Sequence, residues 1–338
     1  VSETAVQLTG VTKTYATGTS WLARLTRRRA ATLTAVDGVD LELRRGEVLA
    51  LVGESGSGKS TLAKILVGST SPTTGTVEPT GRGKAAARRV QMVFQDPYSS
   101  LNPRLTVGAV LAELLRLHDV VPRAEVRADC ERLVNLVGLE ADVLDAYPSQ
   151  FSGGQRQRLA IARALAVRPD VLVADEPVSA LDVSVQATVL DLIARLRAEL
   201  GLSVLFIAHN LAVVQHLADR VAVMYLGRVV EVAPTAELFA SPRHPYTRAL
   251  IDSIPRMTAG SVNDDFELDG EPPSPYDVPA GCRFHPRCPL ATDECRATDP
   301  PLLEVGPARE SACLHADQLA TLPLPEPEHA PEPLEPQR

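Results

Sequence analysis

Residues 53–60 read GESGSGKS. The apolar run EVLALVG at 47–53 predicts a strand entering this stretch, and TLAKILVG predicts a helix leaving it. A strand, a glycine-rich loop and a helix opening on Lys-Ser form the context that the G-x-x-x-x-G-K-[ST] pattern requires. Gly53, Gly56 and Gly58 let the backbone wrap closely around phosphate oxygens, and Glu54, Ser55 and Ser57 complete the loop. The loop amides and the helix N-terminus supply partial positive charge. Lys59 is placed to reach the β- and γ-phosphates of a nucleotide and Ser60 to ligate Mg²⁺, and Thr61 adds a hydroxyl beside it. At ordinary glycine abundance such a match arises by chance in roughly one chain in a hundred of this length. The correct flanks reduce that further, so a nucleotide site is expected here.

Outward from the loop, VLVADEP at 171–177 carries four apolar residues into Asp175 and Glu176. A strand ending in carboxylates puts them at the carboxyl edge of a sheet, where open α/β sheets bind ligands. Asp175 fits a Mg²⁺ partner, and Glu176, pointing differently, can address a water. SVLFIAH at 203–209 ends another strand on His209, near the same edge. With RRVQMVF at 88–94 these runs predict a parallel sheet covered on both faces. Helices are predicted over 106–118, 124–137, 153–167, 184–200 and 210–219, and a hairpin over 220–234 turning near Leu226-Gly227. The fold class is α/β.

FSGGQRQR at 151–158 opens a helix on two adjacent glycines, each about 1 kcal/mol worse than Ala in a helix. A glycine-lined N-terminus presents unobstructed N–H groups to an anion. Bulk properties narrow the field. The 338 residues suggest about two domains, and the net charge of −8 disfavours nucleic acid. The single basic run, Arg27 to Arg29, reads as a solvated loop. No stretch approaches the roughly 18 consecutive apolar residues of a membrane span, and no signal peptide is visible, so a cytosolic protein is expected, held at any membrane by a partner.

Together, GESGSGKS, Gln95 in VFQDP, FSGGQ, VLVADEP, SALD at 179–182 and His209 resemble the ATP-binding cassette (ABC) ATPases over about 1–235. The resemblance implies a RecA-like P-loop core with an antiparallel β subdomain and a helical signature subdomain. It implies two cassettes meeting head to tail, with Ser152, Gly153, Gly154 and Gln155 of one capping the γ-phosphate held by the other. On this basis a side chain at either glycine would block that approach. Asp182 would touch the opposite site, and Tyr15 in KTYA would stack on adenine, although a lone aromatic also suits surface packing. Gln95 would sense γ-phosphate and Mg²⁺, Glu176 would polarise the attacking water, and His209 would contact the γ-phosphate. Asn210 stands where the family often has Asp. QDPYSSLNPRLTV at 95–107 and SPRHPYTRALIDSIP at 241–255 are similar to ATPase subunits of oligopeptide, dipeptide and nickel importers. That subgroup implies a second ATPase subunit, related or identical, two permease subunits and a solute-binding protein, with this chain at the cytoplasmic face of the membrane. The segment 16–34 is similar to one of the two paired ATPase types in these importers, or is an ordinary loop insertion. A different class, soluble cassette ATPases of DNA repair or chromosome maintenance, usually carries long insertions between P-loop and signature; here about a hundred residues separate them. A nucleotide-binding regulator without turnover would not need the full set Lys59, Gln95, Asp175, Glu176 and His209.

Residues 236–316 are expected as a small loop-rich C-terminal domain and 317–338, acidic and proline-dense, as a disordered tail. Cys282, Cys288, Cys295 and Cys313 lie in the former, at spacings unlike the C-x₂₋₄-C pairs of common zinc modules. They suit an iron–sulfur cluster, with zinc or unligated packing thiols as alternatives. The importer subgroup carries a similar pattern, in some cases implied to hold [4Fe–4S]. Cys130 reads as a packing residue in a helix.

Overall fold

The computed structural model describes residues 3–17, 31–79, 89–96, 101–254 and 270–321. Arg27 to Arg29, most of the 16–34 segment and 322–338 of the tail lie outside the described residues. The N-terminal layer is an antiparallel sheet of β1 (Thr4–Thr17), β2 (Ala31–Arg44) and β4 (Thr74–Pro79), in the order β2-β1-β4. The central sheet is mixed. β3 (Val48–Val52), β5 (Val90–Val93), β6 (Val171–Asp175), β7 (Ser203–Ala208) and β8 (Arg220–Tyr225) run parallel, and β9 (Arg228–Pro234) turns back on β8. Beyond β9 come β11 (Arg309–Ser311) and β10 (Leu303–Gly306), giving the order β10-β11-β9-β8-β3-β7-β6-β5.

The parallel strands are mostly apolar because both faces are covered, with polar residues confined to Gln91 of β5 and to strand ends such as Asp175, Ser203 and Arg220. Val48, Ala50 and Val52 join one core with Leu172, Phe206 and the helices, while Leu49, Leu51, Val173 and Ile207 join the other. That alternation is the two-residue period of a strand. The second core is closed by Val6, Leu8, Val36 and Leu41 of the antiparallel sheet and by α1 (Lys59–Leu66) through Leu62, Ala63, Ile65 and Leu66. The first holds α2 (Val107–Leu117), α3 (Val126–Leu136), α4 (Gly153–Leu165) and α5 (Val183–Leu200). Cys130 is buried among Leu133, Val134 and their neighbours, so it packs as expected.

Strand and helix ends fall within about three residues of the sequence expectation. The predicted 210–219 helix is the shorter α6 (Leu211–Leu217), capped by Asn210, whose Oδ1 accepts from the Ala212 N–H at 2.8 Å. Asn and Asp cap equally well, so the departure at this position keeps the helix start intact. Leu226 and Gly227 both take positive φ, 41° and 86°, the backbone of a tight hairpin turn. The C-terminal segment adds α7 (Thr235–Ala240), α8 (Pro245–Asp252), α9 (Asp293–Ala297) and α10 (Ala316–Ala320). Leu319 of α10 is buried, so a packed helix occupies the first residues of the stretch expected as tail.

Candidate functional site

The 53–60 loop leaves the C-terminal end of β3 and feeds α1. Two of its glycines, Gly53 and Gly58, are required by neighbouring backbone, whereas Gly56, at φ +80°, faces open space. A Cβ on Gly58, at φ +109°, would stand 2.2 Å from the Ala35 carbonyl oxygen, and one on Gly53 would stand 2.1 Å from that of Met224. Gly58 caps α1 without any side-chain hydrogen bond, so the first-turn amides are left for an external partner. Lys59 is buried and donates from Nζ to the carbonyls of Gly53 and Glu54 at 2.7 and 2.8 Å and to Ser57 Oγ at 3.3 Å. Burial lowers its pKa, opposed by the charges of Glu176, Asp175 and Glu54.

The carboxylates arrive from the neighbouring strand ends. Asp175, the last residue of β6, is buried and accepts from Ser60 Oγ at 3.2 Å. Burial raises its pKa, and the Ser60 hydrogen bond works against that. A hydroxyl and a buried carboxylate 3.2 Å apart at the mouth of a phosphate-type loop are hard oxygen donors of the kind Mg²⁺ takes. Glu176 follows at φ +46°, a left-handed conformation rare for a non-glycine residue. Its Oε2 accepts from Gln95 Nε2 at 3.0 Å and lies 3.4 Å from His209 Nδ1. The ends of β5, β6 and β7 therefore bring Gln95, Glu176 and His209 together beside the loop. Backbone held in this region is kept in place by its surroundings, here the Gln95 and His209 contacts to the Glu176 carboxylate.

Tyr15 sits on β1 opposite Leu33, near the β2 residue Ala35 that packs on Gly58. Its ring is partly exposed, with Lys13 Nζ 5.2 Å from the centroid. Ser55, Gly56 and Thr61 lie in the loop and the first turn of α1. The signature residues form a separate feature. Ser152 caps α4 through Oγ to the Gln155 N–H at 3.4 Å, and Gln155 Oε1 accepts from the Ser152 N–H at 3.0 Å, a capping box. A Cβ on Gly154 would stand 2.5 Å from Val185 Cγ1, whereas one on Gly153 would meet only Leu181 Cδ2 at 3.4 Å. Gly154 is thus required by the packing of α4 on α5 within the chain, a reason additional to the anion approach expected from sequence. Asp182, exposed, precedes α5.

Sequence reasoning missed that the C-terminal segment touches the loop. Tyr246 of α8, fully buried, accepts from the Glu54 N–H at 2.7 Å. Arg287 grips the Glu54 carboxylate with both terminal nitrogens, at 2.8 and 3.0 Å. The HPYT stretch was a visible mark of this contact; nothing local pointed to Arg287. Between these residues Phe284 packs against Tyr225 and Tyr246, with centroids 5.3 and 5.5 Å away.

Cys282, Cys288, Cys295 and Cys313 line one pocket, with a cavity of about 10 Å³, about one water. Burial holds the Cys282 thiol above its ordinary range and pushes Cys288 up to about 11 and Cys313 to about 12, helped by the neighbouring thiols. Among the described residues no group of three or more His, Cys, Asp and Glu side chains is drawn together so as to hold a metal ion. As packed, the thiols therefore fit neither a zinc ion nor the expected [4Fe–4S] cluster. The structure shows the coarser feature, four cysteines lining one small pocket. No helix among the described residues is long and apolar enough to cross a membrane.

A family model described as "ABC transporter" matches residues 36–179, and one described as "Oligopeptide/dipeptide transporter, C-terminal region" matches 230–295. A probable peptide ABC transporter ATP-binding protein of Sinorhizobium fredii is 46% identical over 322 residues, covering 93% of this chain and 90% of that one. A dipeptide transport ATP-binding protein of Haemophilus influenzae is 48% identical over 292 residues, covering 84% and 89%. Among solved structures, a dimeric ATP-binding cassette in a post-hydrolysis state with ADP and Pi is 30% identical with a TM-score of 0.57, covering 68% of this chain and 98% of that one. The cbiO1 protein of Clostridium perfringens, part of an ABC transporter complex, is 26% identical with the same TM-score, covering 70% and 91%.

Proposed function

The chain belongs to the ABC transporter family, and on that premise we propose that it is the ATP-hydrolysing subunit of a peptide importer. The observation that carries the activity is the contact of Glu176 with both Gln95 and His209 beside the Lys59–Asp175 end of the loop. The peptide substrate rests on the oligopeptide/dipeptide C-terminal region at 230–295 and on the peptide-transport relatives. The DNA-repair alternative finds no support in these relatives.

In this proposal the loop amides and the bare start of α1 bind the phosphates, and Lys59 exchanges its carbonyl partners for the β- and γ-phosphate oxygens. Tyr15 offers its exposed ring to the adenine. Ser60, Asp175 and Gln95 would hold Mg²⁺, which supplies charge neutralisation on the phosphate oxygens. Gln95 and His209 both hold Oε2 of Glu176, which leaves Oε1 to orient and deprotonate a water in line with the γ-phosphate. Phosphoryl transfer asks mostly for such positioning and for charge stabilisation. The second half of the site is the α4 N-terminus of a partner cassette, Ser152 to Gln155, with Asp182 across the seam, and the partner is a related chain or a copy. Permease subunits hold the pair at the cytoplasmic face, and a solute-binding protein delivers the peptide. We read 1–235 as the cassette and 236–316 as an extension built onto it.

Glu176→Gln tests the activity: ATP binding should persist while turnover falls about 10²–10⁴-fold. Near-normal turnover would mean another group activates the water. An iron–sulfur cluster on Cys282, Cys288, Cys295 and Cys313 would require the thiols to take up positions other than those seen. Iron analysis of anaerobically purified protein decides: about four irons per chain would establish it, and iron-free protein would leave the four as packed thiols.

A further inference from the structure

Arg287 lies one residue before Cys288 in the loop CRFHPRC, Cys282 to Cys288, in the C-terminal segment. Its fork binds Glu54, the second residue of the phosphate loop, 233 positions earlier in the chain. The same fork lies against Tyr225 Oη at 3.5 Å, and hydrogen bonding to Glu54 raises the Arg287 pKa. Tyr246 takes the Glu54 N–H, and the Glu54 carbonyl takes Lys59 Nζ at 2.8 Å. Glu54 is therefore held on three sides: by Arg287 at its carboxylate, by Tyr246 at its amide, and by Lys59 at its carbonyl. A second line runs through Arg283 of the same loop. It bonds Asp37 on β2 and the Leu226 carbonyl in the β8–β9 turn, and the next residue, Gly227, donates its N–H to the Ser57 carbonyl at 2.8 Å. Both lines start within seven residues of each other and end on the loop that binds phosphate.

We propose that the Cys282–Cys288 loop is a brace that sets the shape of the phosphate loop, with Arg287 and Tyr246 as positioning residues for ATP binding. The inference rests on the ATP-site assignment above and extends it to residues that touch no nucleotide. Bidentate Arg–carboxylate pairs fix geometry as well as distance. Here Arg287 is 5% exposed in its side chain, so solvent screens the pair little. Fixing the Glu54 carbonyl fixes where Lys59 waits and how far it moves to reach phosphate. The brace thus acts on affinity for ATP, while the hydrolytic set Gln95, Glu176 and His209 is held by other contacts. Coupling of this kind is reciprocal: if the brace tightens ATP binding, ATP tightens the brace.

The test uses the full chain with Mg²⁺-ATP. Arg287→Gln should raise the Kd and the KM for ATP about five- to tenfold, the lower range for coupled sites, with kcat at saturating ATP within about twofold. Arg287→Lys should recover part of the affinity. Tyr246→Phe, which keeps the buried ring and removes the acceptor, should weaken ATP in the same way, and Glu54→Gln added to Arg287→Gln should cost little more. Hydrogen exchange in the 282–288 segment should slow when Mg²⁺-ATP binds the wild-type chain, and this slowing should shrink in Arg287→Gln. A purely structural Arg287 would lower the melting temperature without that split or that ATP-dependent protection. Wild-type ATP binding with unchanged affinity in Arg287→Gln and Tyr246→Phe, and no protection of 282–288, overturns the brace alone. A wild-type chain that binds no Mg²⁺-ATP brings down the ATP-site assignment and the brace together.

Discussion

Two helix starts in this molecule are read as facing a triphosphate, and they are built in opposite ways. α1 begins at Gly58, left-handed and without a side-chain cap, with Lys59 buried against the loop carbonyls. α4 begins at Ser152, whose hydroxyl and amide are matched with Gln155 in a closed capping box. An uncapped start leaves orphan donors for water or a ligand to complete; a capped one is stable by itself and can be displayed at a surface. The difference suits a division of labour in which the chain binds its own nucleotide with α1 and offers α4 to a partner's. α8 adds a third solution, with the neutral imidazole of His244 accepting the Tyr246 N–H at 3.1 Å through Nδ1.

The comparison can be broken at either end. The largest effect belongs to the α1 side, where Glu176→Gln should remove about 10²–10⁴ of turnover, measured as phosphate release, without loss of nucleotide binding. Gly58→Ala follows. Left-handed backbone strain of about 1–3 kcal/mol comes on top of overpacking of similar size against the Ala35 carbonyl. Both the urea midpoint and ATP binding should fall. On the α4 side, Gly154→Ala should destabilise the isolated chain by about 1–3 kcal/mol, and Val185→Ala in the same chain should relieve it. If Gly154→Ala instead melts normally and only the assembled transporter loses turnover, the glycine serves the partner's nucleotide alone. Ser152→Ala, losing the cap, should cost about 1 kcal/mol by urea unfolding.

The smallest effect is the pH response of the α8 start. Burial holds His244 down at about 3, below its ordinary 6.5, so its contribution is present above 6.5 and is lost as pH falls toward 3. Glu231, which accepts from the Arg243 and His244 amides, is pushed by burial up to about 7 from 4.5. Its contribution runs the other way, complete below 4.5 and lost as pH rises through 7. Between 4.5 and 6.5 the two slopes oppose. Glu231→Gln should therefore make the melting temperature drop more steeply on acidification than in wild type.

What was legible from sequence was what is contiguous. GESGSGKS carries its glycines, lysine and serine in one run, and its strand and helix flanks are patterned on both sides. Asp175 and Glu176 could be placed because an apolar strand delivers them. β1 and β2 were expected only through the family resemblance, since their positive-φ glycines and register shifts break the alternation that marks a strand. β10 and β11 are short and largely polar on their exposed side, so no apolar run announced them. Gly154 against Val185 and Glu54 against Arg287 are contacts between distant positions, and a single sequence records neither. The cluster expectation rested on cysteine count, spacing and resemblance; none of these reveals that the four residues line a space the size of one water.

β11 covers the outer margin of β9 through Glu310 to Val232 and Ser311 to Glu231, and the Ala312 amide bonds the Val230 carbonyl. A chain trimmed after Pro234 would therefore bare one edge of a mostly apolar strand, with the outward peptide groups of Val230 to Val232 unpaired while β8 still holds its other edge. Such edges recruit others like themselves. The shortened protein should come out of cells as insoluble material, its catalytic motifs all present in sequence, because the margin of its sheet had been left adhesive.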